Sequence, residues 1–170
     1  EKARQLYYRE IANNPTYDAV HYNLAVLLRK GFADIEGAMK EYREAIAINP
    51  GYLKAHYNMA NLLYLDAKKY EEAKTHYETA LEINPDYAAA HANLGFLLKE
   101  HFRDYTSSRQ HFEKAIAINP ELAVAHYQLA ELLMLKSFDI EAAKTHYIKA
   151  TGIDPKLIRK DLEQAFEIKR

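Results

Sequence analysis

Residues 51–85 read GYLKAHYNMANLLYLDAKKYEEAKTHYETALEINP, and this stretch decides the fold. His56, Met59, Ala60 and Leu63 fall at i, i+3, i+4 and i+7, which is one face of an α-helix. Ala73, Tyr77, Ala80 and Leu81 repeat that spacing in the second half. Asn84-Pro85 then ends the pattern, because a residue before proline avoids the α region. Two amphipathic helices joined by a turn are therefore predicted, with small alanines where the helices meet and a tyrosine filling the space beside them.

The same pattern extends in both directions. Prolines stand at Pro15, Pro50, Pro85, Pro120 and Pro155, always 35 residues apart and always after Asn or Asp. Units 16–50, 51–85, 86–120 and 121–155 align without a gap, which marks a repeat array. The sixth column is His21, His56, His91, His126, and a later aromatic column is Tyr42, Tyr77, Phe112, Tyr147. Small columns read Ala38, Ala73, Ser108, Ala143 and Ala45, Ala80, Ala115, Ala150. Asp34, Asp104 and Asp139 precede the second helices and are placed to accept from the free N–H groups of the first turn. Lys69 holds that column in the second unit and cannot cap.

These columns resemble the tetratricopeptide repeat, marked in residues 51–85 by His56, Met59, Ala60, Ala73, Tyr77, Ala80 and Pro85. The resemblance spans essentially the whole chain. It implies an all-α fold, a right-handed α-solenoid of antiparallel helix pairs. The family period is 34, so one residue is added, by alignment in the turn between helices (around residues 64–70), which predicts a longer turn. His replaces the family's frequent Trp in every unit. A 35-residue period also suits pentatricopeptide repeats, which read RNA, but the Ala–Tyr–Ala–Asn-Pro pattern and the charge reject that reading.

The expected organisation is one array over residues 1–170. Residues 1–15 form a half-repeat with only a second helix, four full units follow, and 156–170 form a capping helix, giving ten helices. Ile158, Leu162, Ala165 and Phe166 make the cap's apolar stripe, with Arg159, Lys160, Asp161, Glu163, Glu167 and Lys169 around it. With no initiator Met, the chain is expected to be a segment of a longer protein.

Composition narrows the chemistry. Apolar residues are 49% of 170, enough for a core. Twenty-three Lys and Arg against 24 Asp and Glu give a net charge of −1, without the basic excess of a nucleic-acid binder. No cysteine, no signal-peptide character and no apolar run near the ~20 residues of a membrane span point to an intracellular, membrane-free setting. Seven of the eight histidines occupy two columns, His21/His56/His91/His126 and His76/His111/His146, with His101 apart. No His-x-x-x-His pair exists, and equivalent columns of successive units lie too far apart to share an ion, so packing or surface roles are favoured over a metal. Pairs across the two columns stay open. Ser107, Ser108 and Ser137 lack a nucleophile-elbow context, and no phosphate-cradling loop exists. Neither a catalytic centre nor a cofactor is expected.

What the resemblance implies instead is a concave groove lined by the first helices. The corresponding positions are Ala19, Tyr22, Asn23, Val26 and Arg29, then Lys54, Tyr57, Asn58, Asn61 and Tyr64. The third unit supplies Ala89, Ala92, Asn93, Phe96 and Lys99, and the fourth Val124, Tyr127, Gln128, Glu131 and Met134. Asn23, Asn58, Asn93 and Gln128 form a ladder of amides, each able to donate to and accept from a peptide backbone. Lys54, Asn58 and Asn93 match the clamp by which some family members hold chaperone C-termini, but Val124 and Gln128 replace its last two cations, so that ligand is disfavoured. Arg29, Lys54 and Lys99 against Glu131 suggest a mildly acidic partner segment. Self-association through the open first helix, or service as a targeting array of a larger enzyme, are the alternatives.

Overall fold

The structure, a computed structural model, describes residues 1–136 and 139–168, with Lys136 described by its backbone alone. Ser137 and Lys169 lie outside the described residues. Ten α-helices are seen among the described residues, and they fall into two compact units, Glu1–Pro85 and Asp86–Arg170. No helix among the described residues is long and apolar enough to cross a membrane.

The first unit holds α1 (Lys2–Asn13), α2 (Asp18–Phe32), α3 (Ile35–Ile48), α4 (Leu53–Leu65) and α5 (Tyr70–Ile83). α2 packs on α3 and α4 on α5, each pair an antiparallel hairpin. Ala25, Ala38, Ala45, Ala60, Ala73 and Ala80 are fully buried, and Tyr42 and Tyr77 fill the space that these small residues leave. Burial pushes the Tyr42 hydroxyl far above its ordinary pKa, so it stays neutral.

The second unit holds α6 (Ala88–Leu97), α7 (Tyr105–Ile118), α8 (Ala123–Lys136), α9 (Ile140–Ile153) and α10 (Lys160–Ala165). A π-turn over Leu98–Phe102 extends α6, and a 3-10 turn over Pro155–Leu157 precedes α10. Phe112, Tyr127, Leu129, Leu132, Leu133, Tyr147 and Phe166 belong to one apolar cluster. α10 is shorter than the expected cap. Ile158 stands before it in extended backbone and Ala165 is exposed, so of the expected stripe Phe166 is buried and Ile158 and Leu162 are half-buried. The 3-10 turn led by Pro155 and the extended residues Ile158 and Arg159 take up the chain before the helix starts at Lys160.

Local chemistry explains each boundary. Asp34, Asp104 and Asp139 accept from the amides of Gly37, Ser107 and Ala142 at 2.9–3.0 Å, as N-caps should, whereas Lys69 makes no such bond. The second helices end at Asn49, Asn84, Asn119 and Asp154, all with extended ψ. Asn49 and Asn119 then reach across the proline to the amides of Gly51 and Glu121, at 3.2 and 3.1 Å, closing Asx turns.

The added residue lies in the turn inside the α2–α3, α4–α5 and α6–α7 hairpins. Ala33, Lys68 and Arg103 occupy the same repeat column, all with φ of 52–56°. The next amide bonds back six residues, Asp34 to Leu28, Lys69 to Leu63 and Asp104 to Leu98, one residue further than in the Schellman closure of a helix end. None of the three is glycine, although a left-handed residue with a Cβ costs ~1–2 kcal/mol. In contrast, Gly95 is required for packing. A Cβ there would lie 2.9 Å from the Phe112 ring and 3.2 Å from the Ser108 carbonyl oxygen.

Two stability predictions follow from this geometry. Lys68→Gly relieves an exposed left-handed residue and should stabilise by about 0.5–1 kcal/mol after glycine's entropy is counted. Gly95→Ala should destabilise by about 1–3 kcal/mol through overpacking against Phe112 and the α7 backbone. Urea unfolding at fixed protein concentration reads both; a neutral Gly95→Ala would contradict the close approach of α6 and α7.

Candidate functional site

The groove positions of the first unit lie on α2 and α4 and are already knitted together. Asn58 Nδ2 donates to the Tyr22 hydroxyl at 2.7 Å, tying the amide of one repeat to the tyrosine of the one before. The Tyr22 ring lies 5.1 Å from Tyr52 and 6.0 Å from Tyr42. Burial raises the Tyr22 pKa, with the Asn58 bond partly opposing it. Asn61 accepts from the Tyr77 hydroxyl at 2.6 Å. Tyr57 stacks at an angle on Tyr77, and Tyr64 on Tyr70. Asn23 and Lys54 are exposed. Asn23 and Val26 border a hollow of about 400 Å³, together with Tyr7 and Lys30.

In the second unit the positions lie on α6 and α8. Asn93, Phe96, Val124 and Gln128 surround a cavity of about 140 Å³ floored by Ala92 and Phe112. Lys99 is only 5% exposed, and its Nζ donates to Gln128 Oε1 at 2.6 Å and Glu131 Oε2 at 3.2 Å. That ammonium also lies 5.3 Å from the Phe96 ring centre. Met134 and Glu131 line a further hollow of about 270 Å³ with Leu135 and Leu162. Tyr127 is buried, its hydroxyl 3.4 Å from Arg159 Nη1, and Arg159 also pairs with Glu131 at 3.5 Å.

The expectation of an acidic partner loses its main support. Arg29 Nε is held by Asp66 at 2.6 Å and Lys99 by Glu131 and Gln128, so two of the three cations are neutralised within the chain. Sequence reasoning missed Asp66 and Arg159 because each partner lies more than thirty residues from the group it binds.

The two histidine columns meet. His56 Nδ1 lies 3.1 Å from His76 Nδ1, His91 Nδ1 2.9 Å from His111 Nδ1, and His126 Nδ1 2.9 Å from His146 Nδ1. Glu41 takes the second place in the first full repeat, 2.7 Å from His21 Nδ1. Among the described residues no three His, Asp or Glu side chains converge in a way that could hold a metal ion.

Comparison with known proteins agrees with this architecture. A family model described as TPR repeat matches residues 34–66 and 62–101, and one described as tetratricopeptide repeat matches 123–157. No curated protein matches the chain. A crystal structure of MamA is similar at a TM-score of 0.80 and 16% identity, covering 90% of this chain and 87% of that one. MamA 41-end from Desulfovibrio magneticus RS-1 gives 0.79 at 20% identity, over 92% and 86%. YrrB, described as a TPR protein with an unusual peptide-binding site, gives 0.75 at 21% identity, over 88% and 75%. The repeat matches, the hairpins and their capped boundaries together place the chain in the tetratricopeptide repeat family.

Proposed function

We propose that the chain is a non-catalytic protein-interaction module whose first helices hold an extended peptide segment of a partner. The observation that carries this reading is the 140 Å³ cavity on α6 and α8, apolar at its base and flanked by the amides of Asn93 and Gln128. A cavity near 150 Å³ accepts a benzene-sized group, so one aliphatic or aromatic side chain of a ligand fits. Amides on either side suit the ligand's backbone on both sides of that anchor. In the first unit, Asn58 retains its Oδ1 as an acceptor beside Tyr57, and amphipathic aromatics of this kind are enriched at interfaces. Recognition is proposed to rest on backbone and apolar contacts rather than on ligand acidity, because Arg29 and Lys99 are committed within the chain. The peptide-binding site named for YrrB, whose fold is similar, supports the class of ligand.

A second reading, self-association, draws on α1, which buries no side chain and exposes Leu6 by 61% and Tyr8 by 50%. Light scattering over a hundredfold concentration range separates the two: constant mass removes self-association.

For the groove, a peptide selected by display on the whole chain should bind five- to tenfold more weakly to Asn58→Ala and Asn93→Ala, the loss of about one net hydrogen bond each. Tyr57→Ala should weaken it further. Isothermal titration against wild type measures this. Affinity unchanged in all three variants would defeat the proposal.

A further inference from the structure

The groove reading makes no use of the buried histidines. His21, His56, His91 and His126 are 6–9% exposed and sit on the first helix of each hairpin. In α4–α5, α6–α7 and α8–α9 each faces a second, half-buried histidine twenty residues on, with ring centres 5.1–5.2 Å apart. In α2–α3 the partner is the buried carboxylate of Glu41.

The proline turns fix the tautomers. The Pro50 carbonyl oxygen lies 3.0 Å from His56 Nε2, and that of Pro120 lies 3.1 Å from His126 Nε2. A carbonyl only accepts, so Nε2 carries the proton and the neutral ring presents a bare Nδ1. The partner ring must then donate from its own Nδ1. One extra proton can settle on the partner's Nε2, and the bond between the rings survives. A second has only the remaining Nδ1, and two N–H groups on two cations would then oppose each other at about 3 Å. His21 differs. Its Nε2 faces the Pro15 carbonyl oxygen at 3.2 Å and its Nδ1 faces Glu41, so both nitrogens of the charged ring have acceptors.

The surroundings do little to favour the charged rings. His76 feels Glu72 from its own helix and Arg43 from α3, and these oppose each other. Glu113 and Arg109 of α7 do the same at His146, as do Glu121 and Lys149 at His126. His111 has Asp104. Burial first, then the partner ring, hold His76 and His111 down at about 4, and burial lowers His126 and His146 as well.

We propose that the three histidine pairs are acid-sensitive clasps between the helices of their hairpins, while the His21–Glu41 pair keeps α2–α3 closed under the same acidification. With His76, His111, His126 and His146 held below the ordinary 6.5 in the closed hairpins, the opened chain binds more protons than the closed one as pH falls. The clasps' support is complete above pH 6.5 and is lost progressively toward pH 4. This inference concerns the hairpins alone and stands whether or not the groove binds a peptide.

The test compares the intact chain with a variant carrying His76→Glu, His111→Glu and His146→Glu, which gives every hairpin the partner that α2–α3 already has. Between pH 7 and pH 5, where most carboxylates remain ionised, the wild-type thermal midpoint should fall by about 10 °C and that of the variant by less than half as much. Hydrogen exchange at pH 5 should show α4–α9 losing protection before α2–α3. Nitrogen-15 spectra should show opposite tautomers within the pairs at pH 7, with His76, His111, His126 and His146 titrating below the ordinary histidine range. An equal midpoint loss in the variant, simultaneous opening of α2–α3, or independent titration of the rings near pH 6.5 would overturn the proposal. If the variant does not fold, the wild-type ring spectra and exchange order decide.

Discussion

Helix pairs in this protein depend on close approach at small side chains. Ala25, Ala38 and Ala45 stand at one such contact, Ala60, Ala73 and Ala80 at another, and Ala130, Ala143 and Ala150 at a third, all at most 1% exposed. The aromatic ring beside each contact, Tyr42, Tyr77 or Tyr147, takes up the volume that the alanines give back. An aromatic of this size buries ~150–250 Å² and dominates the energetics of a small core. α6–α7 shows how tightly the members are coupled. Gly95 replaces alanine, Ser108 replaces alanine, Phe112 replaces tyrosine, and the Ser108 hydroxyl donates to the Gly95 carbonyl oxygen at 2.8 Å. The serine hydroxyl thus finds an acceptor inside the contact, and the missing Cβ leaves room for the ring.

Helices this close trap polar groups as well as apolar ones, and an unsatisfied buried group costs ~1–3 kcal/mol. The carbonyls of Pro15, Pro50 and Pro120 are the outer end of this problem, since each stands at a turn ahead of a first helix. The first-helix histidine answers with Nε2–H, and its other nitrogen is then answered by a second histidine or by Glu41. One column therefore links the turn to the first helix and the first helix to the second. A tryptophan, the family's usual residue in this column, offers one donor and no acceptor, so it could bond a carbonyl but could not continue such a chain.

What was legible in the sequence is what lies within one repeat and within a few residues. Asp34, Asp104 and Asp139 act three residues along the chain, and the Asn-Pro turns act two, so their roles follow from spacing alone. The histidine pairs were half legible. Two columns of period 35 at a fixed offset of 20 were visible, and Glu41 in the second column is the residue type expected of a histidine's partner. Whether the columns faced each other depended on helix rotation within the hairpin. Arg29 with Asp66 and Lys99 with Gln128 were not legible, because they join neighbouring repeats and depend on how one hairpin is set against the next. The cap was misjudged for a third reason. Its apolar stripe has helical spacing, but the chain from Asp154 to Arg159 follows a proline turn into extended backbone, so Ile158 keeps the spacing without the helix.

The internal bonds at the groove positions also set what the surface can do. Lys99, with its charge met by Glu131 and its ammonium near Phe96, offers little field to a distant carboxylate. Asn58 and Gln128 are held by Tyr22 and Lys99, so under the proposed peptide binding their amides would lose less side-chain entropy. Tyr57 and Tyr127 follow directly after His56 and His126 on the same helices. A hairpin that opens at its histidine pair would therefore carry a groove tyrosine away from its neighbours. The proposed contact surface and the histidine pair share one helix, so the acid-sensitive clasp proposed for the second would act on the position of the first.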